Sequence, residues 1–179
     1  TASGVALNSM VHEFKIPIIS TINPTVQSVI QNPISRRVGV IATSASASSK
    51  VHERAIMGAG FSGYVCSIAC SGLAELIEVY PDSCDRLKTL LAEYLVPFGE
   101  QNLDTLIYGC THYPLIDNVI RPLLPDSIIY IDPAKYIAKQ AVETLEKLDL
   151  AKITTELGRV DFYSSGGGKL EHKKRFCFL

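Results

Sequence analysis

Apolar positions along this chain fall into short runs that alternate with longer stretches of helical spacing. Val38-Gly39-Val40-Ile41, within residues 37–42, reads as a strand buried on both faces, and residues 103–108 and 60–66 read as two more. Residues 16–21, 125–131 and 160–164 carry weaker strand signals. Helical spacing fills the intervals. One face of the opening residues 1–14 carries Val5, Ala6, Met10, Val11 and Phe14, and Asn23-Pro24 starts a helix with Val26, Val29 and Ile30 facing inward. The polar cluster 44–49 caps a helix towards Met57, and residues 72–98 hold two helices broken at Tyr80-Pro81-Asp82. Pro114 opens a helix through Leu115, Val119, Ile120 and Leu123. Asp132-Pro133 is an N-cap and first-turn proline for an amphipathic helix over 134–148, with Ile137, Ala138, Ala141, Val142 and Leu145 on one side. Strands alternating with helices predict an α/β fold with a mostly parallel sheet.

With 179 residues, 47% apolar and 20% charged, the chain has material for a packed core. A formal net charge of -1 supplies no electrostatic reason to expect nucleic acid or a membrane surface as partner. The cysteines, Cys66, Cys70, Cys84, Cys110 and Cys177, are odd in number and follow no secretion signal, which suggests reduced thiols and a cytoplasmic setting. Cys66 and Cys70 lack the second Cys/His pair of a structural zinc site. The weakly charged stretch 62–80 contains Glu75, Glu78 and two glycines, so it does not read as a membrane span.

The segment Ile107-Tyr108-Gly109-Cys110-Thr111-His112-Tyr113-Pro114 carries the chemistry. It places a thiol, a hydroxyl and an imidazole where a strand's carboxyl end meets a helix start, the edge at which open α/β sheets bind ligands. The helix dipole and His112 would both favour the thiolate of Cys110; the competing reading is a small buried hydrophobe. His112 suits proton transfer near neutrality or support of the thiolate. Thr43 and Ser46 follow the strand at 37–42, so both strand ends face one edge and could share a carboxylate ligand. Helix capping is the better reading for Ser46, and Thr43 is open between the two. His12, His52 and His172 fall on helix faces expected to be exposed. Ser165-Gly166-Gly167-Gly168-Lys169 lacks the hydroxyl residue that a phosphate loop needs after its lysine, since Leu170 stands there. No glycine fingerprint for a dinucleotide follows a strand.

Cys110-Thr111-His112-Tyr113-Pro114-Leu115 resembles the second-cysteine motif of bacterial glutamate racemases, and the resemblance extends over nearly the whole chain. Val38-Gly39-Val40-Ile41-Ala42-Thr43 is similar to the family's Gly-Val-Ile-Gly-Thr strand, with Ala42 in place of glycine. Ala69-Cys70 through Glu78 resembles its Ala-Cys-Pro-Leu segment, although Ser71 and Glu75 stand where prolines are usual. Phe162-Tyr163-Ser164-Ser165-Gly166 resembles its closing Phe-Tyr-Thr-Ser-Gly. Thr1-Ala2-Ser3 resembles the tail of the first-cysteine motif, Cys-Asn-Thr-Ala, whose cysteine would precede Thr1.

The resemblance implies Rossmann/flavodoxin-like three-layer domains: a complete second domain over 24–132, and part of a first domain made of 1–23 and 133–179. It implies cofactor-independent interconversion of L- and D-glutamate by two cysteines, with D-glutamate feeding peptidoglycan synthesis. On this reading Cys110 is the acid or base for one enantiomer, His112 and Glu78 assist it, and Thr111, Thr43 and Thr1 bind substrate. A chain carrying one of two cysteines is expected to racemise poorly by itself, and an incomplete first domain is expected to associate with further copies. A racemase for aspartate or another acidic amino acid, or a non-catalytic remnant, are the alternatives.

Overall fold

The centre of the molecule is β1 (Arg37–Ala42), whose residues beyond Arg37 are all buried. In the computed structural model it pairs in parallel with β2 (Tyr64–Ala69) on one side and β3 (Thr105–Gly109) on the other, and β3 pairs in parallel with β4 (Ile129–Ile131). The sheet is therefore all parallel, in the order β2-β1-β3-β4. The structure describes residues 4, 6–80, 83–152, 154, 158, 159 and 161. Helices precede and follow the strands: α1 (Leu7–Glu13), α2 (Asn23–Gln31), α3 (Ser44–Ser48), α4 (Val51–Gly58), α5 (Leu73–Glu78), α6 (Cys84–Glu100), α7 (Asp117–Ile120) and α8 (Pro133–Lys147). Two single 3-10 turns, Tyr113–Ile116 and Arg121–Leu123, flank α7.

Both faces of the sheet are covered, which is why its central strands read as continuous apolar runs rather than alternating ones. On one face Val38, Val40, Ala42 and Ile107 pack with Ile22, Val26 and Val29 of the α2 region and Ile56 of α4. On the other, Ile41, Leu106 and Tyr108 pack with Leu73 and Ile77 of α5 and Leu87, Leu91, Leu95 and Phe98 of α6. This is the three-layer α/β class expected from the sequence. Gly39 is needed for the second layer to approach: a Cβ there would lie 2.4 Å from Leu103 and 2.8 Å from Phe98. The outer edge of β2 is blunted by α4, where Glu53 Oε1 accepts from the Ser67 backbone N–H at 2.9 Å.

Several local expectations are corrected. Residues 16–21 form no strand, because no described strand lies alongside them and Ile16 is 70% exposed; the Ser20 hydroxyl instead accepts from Ile22 and Asn23 N–H groups at the start of α2. The third strand runs over Tyr64–Ala69 rather than 60–66, with Gly60 at φ 89 in the turn before it. The helix after Thr43 is split between α3 and α4 by Lys50, which takes a left-handed φ of 51. The Pro114 helix is a 3-10 turn, a four-residue α7 and a second 3-10 turn. His52 is buried, at 7% exposure, not surface-facing. Position 160 and positions 162–164 of the last expected strand, with His172 and Cys177, lie outside the described residues. Among the described residues, no helix is long and apolar enough to cross a membrane.

Candidate active site

The chain leaves β1 towards β2 on one side and returns to place β3 on the other, so the strand order reverses between β1 and β3. At such a switch point the two connections diverge and leave a crevice at the strands' carboxyl ends. The register Ala42↔Gly109 makes Thr43 and Cys110 the first residues beyond neighbouring strands there. Ala42 is also in register with Ala69, and the Cys70 N–H donates to the Ala42 carbonyl at 2.8 Å, which puts Cys70 on Thr43's other side.

Cys110 is half-buried, with its Sγ 3.7 Å from His112 Nδ1. The opposite ring nitrogen, Nε2, lies 3.5 Å from Glu78 Oε1 at the end of α5. The structure therefore brings Cys110, His112 and Glu78 into one row, running from a part-buried thiol to a carboxylate that is 61% exposed. A carboxylate on one ring nitrogen favours a proton there and orients the other nitrogen towards the sulfur. Thr111, between them in sequence, is exposed. The Thr43 hydroxyl donates to Ser46 Oγ at 3.2 Å, and Ser46 is 3% exposed. Thr43 is the N-cap residue of α3, and its side chain makes no cap hydrogen bond to that helix. Thr1 lies outside the described residues.

The electrostatics correct one expectation. Burial pushes the Cys110 thiol above the ordinary range, against the pull of the His112 backbone N–H, and the Glu75 carboxylate adds to the rise. The dipole expected to lower it is weak because the helix begins as a 3-10 turn and its α part has only four residues. Burial also drives Cys70 up to about 12, so the neighbouring thiol stays protonated at neutral pH. Sequence reasoning did not single out Tyr113 or Glu75. Tyr113 is fully buried and its hydroxyl donates to the Cys70 carbonyl at 3.5 Å, tying the β2 and β3 ends together. Its place directly after Cys-Thr-His was the available signal. Among the described residues no group of three or more His, Cys, Asp or Glu side chains is gathered to hold a metal ion.

Three comparisons with known proteins agree. The family model described as Asp/Glu/hydantoin racemase matches residues 2–141. A glutamate racemase of Trichodesmium erythraeum is 36% identical over 150 residues, covering 84% of this chain and 55% of that protein. The crystal structure of a glutamate racemase from Francisella tularensis in complex with D-glutamate aligns with a TM-score of 0.78 at 30% identity, over 86% of this chain and 57% of the other. A glutamate racemase isoform of Bacillus anthracis aligns with a TM-score of 0.77 at 28% identity, over 83% of this chain and 56% of the other. The chain thus spans about half the length of the relatives it matches.

Proposed function

The chain belongs to the Asp/Glu/hydantoin racemase family, and from that premise we propose that it carries the second-cysteine half of a glutamate racemase acting without a cofactor. The observation that carries the reading is the row of Cys110, His112 and Glu78 at the switch-point edge, with separations of 3.7 and 3.5 Å. There the thiolate of Cys110 can take a proton from the α-carbon of a bound amino acid, and the thiol so formed can give one back. His112 accepts or returns the proton and Glu78 balances the imidazolium charge. Thr111 and Thr43 offer hydroxyls at the same sheet edge for the substrate's carboxylate or ammonium, Ser46 is buried behind Thr43 and hydrogen-bonded to it, and the resemblance adds Thr1. Inversion needs a second acid–base group on the opposite face of that carbon; by resemblance it is the cysteine that would precede Thr1. In the whole protein the product, D-glutamate, would supply peptidoglycan synthesis.

We further propose that residues 24–132 are a complete domain and that 1–23 and 133–179 belong to another. α8 supports this division. Its Tyr136, Lys139, Gln140 and Glu143 line a crevice of about 350 Å³ against Asn23 and Gln27 of α2. Its Val142, Leu145 and Leu148 stand 54%, 45% and 47% exposed. No residue of α8 is buried, and a row of exposed apolar side chains on a helix calls for further surface over it, whether from the rest of the first domain or from a second copy.

The test is α-proton exchange of L-glutamate in heavy water, followed by NMR, beside racemisation followed by circular dichroism. A polypeptide of residues 1–179 is expected to exchange the proton while racemising poorly. Cys110→Ala is expected to abolish exchange by at least about 10²-fold, the usual worth of one acid–base group. Exchange that survives Cys110→Ala overturns the reading, and faster exchange of aspartate than of glutamate reassigns the substrate.

A further inference from the structure

Tyr108, Asp117, Arg121 and Tyr130 form a circuit that brackets the loop carrying Cys110 and His112. Tyr108, in β3 and 2% exposed, donates its hydroxyl to Asp117 Oδ1 at 2.6 Å, joining the end of the strand to the first residue of α7. Asp117 Oδ2 accepts from Arg121 Nε. The Arg121 guanidinium lies 4.1 Å from the ring centroid of Tyr130 on β4, and that ring is 6.0 Å from the ring of Tyr108. The two ends of segment 109–116 are therefore tied to each other and to the neighbouring strand.

The tie bears on chemistry because the Cys110–His112 contact joins residues only two apart across a non-helical loop. Within that loop the backbone bonds are Tyr113 N–H to the Cys110 carbonyl at 3.2 Å and Leu115 N–H to the His112 carbonyl at 3.1 Å. Small rotations at either end would separate sulfur from imidazole. A leucine at 108 would fill the core without a partner; a buried phenol requires one, and here the partner is the residue that starts α7. The Asp117 carboxyl is kept ionised for this purpose: although burial raises it, the hydrogen bonds from Arg121 and Tyr108 hold it below the usual carboxylate range.

We infer that Tyr108 and Asp117 are positioning residues for Cys110, clamping the strand end against α7 so that His112 stays on the thiol. The inference rests on the reading of Cys110 and His112 as a working acid–base pair. Among the described residues, the titratable groups near Cys110 are Cys70 beyond β2, Glu75 on α5, and His112 and Tyr113 on its own segment, with Glu78 reached through His112.

The test is the rate of iodoacetamide alkylation at Cys110, located by peptide mass spectrometry, across about pH 7–11, a range that reaches past the ordinary thiol value into the one where this thiolate forms. Tyr108→Phe keeps the ring and removes only the hydroxyl. It is expected to slow alkylation at neutral pH about 3- to 10-fold and to move the midpoint upward, by loss of the imidazole beside the thiol. Asp117→Ala should do the same, while Asp117→Asn, which keeps an acceptor, retains most of the rate. In a His112→Gln background the Tyr108→Phe effect should vanish. A wild-type profile in Tyr108→Phe, or an effect undiminished without His112, overturns the inference alone. A wild-type profile in His112→Gln overturns the acid–base pair and this inference with it.

Discussion

Gly109, the residue before Cys110, offers a test in which sterics and backbone entropy pull in opposite directions. Its φ is not positive, so alanine suits its backbone, and on conformational grounds alone Gly109→Ala would stabilise the protein. The structure opposes this. An added Cβ would stand 2.8 Å from the Ile41 carbonyl oxygen, 3.0 Å from Ala42 Cβ and 3.0 Å from Val40 Cγ1. These belong to β1, held in the sheet on both sides, so the contact cannot be relieved by turning a flexible side chain. Overpacking of this kind costs about 1–3 kcal/mol, and the strain falls on the strand end that presents Cys110. Gly99, in α6, is the control: nothing lies within 4 Å of its added Cβ, and Gly99→Ala should stabilise by about 0.5–1 kcal/mol. Urea unfolding measures both. With a slope of about 1–3 kcal/mol per molar for a small protein, the two midpoints should separate by roughly a molar in opposite directions from wild type. Gly109→Ala as stable as Gly99→Ala would refute the close approach of β3 to β1 at this edge.

Other outcomes follow from burial. His52 is held down at about 4 by burial, so it folds uncharged while the unfolded chain takes up a proton below its ordinary 6.5. Stability is therefore complete above about pH 6.5 and falls towards pH 4, by as much as about 3 kcal/mol. Its Nδ1 is buried without a partner, so His52→Leu should flatten that pH dependence in urea titrations at pH 7 and 5; an unchanged slope would count against it. Leu91 is fully buried in α6, and Leu91→Ala should cost about 2–5 kcal/mol. Leu145 is 45% exposed on α8, and Leu145→Ala should stay within about 0.5 kcal/mol while reducing any self-association seen by light scattering. A large loss at Leu145 would mean its apolar face is already covered.

The strands β1 and β3 were legible in the amino-acid pattern because parallel strands, buried on both faces, must be apolar without interruption. So was the position of Cys110, because a glycine and a proline bracket it at the strand-to-helix corner. The start of β2 and the absence of pairing at residues 16–21 were not, since a strand exists only where a neighbour accepts its hydrogen bonds, and no local signal carries the neighbour's identity. The same holds for the chemistry. Glu75 and Glu78 lie more than thirty positions from Cys110 in sequence, yet one raises its thiol and the other meets its histidine. Residue type and spacing determined which groups could react. Burial, and the charges that distant elements bring together, decided that Cys110 is a thiol with a raised pKa and that His52 is folded away uncharged. Desolvation and Coulomb terms depend on distances through space, and only the folded chain sets those.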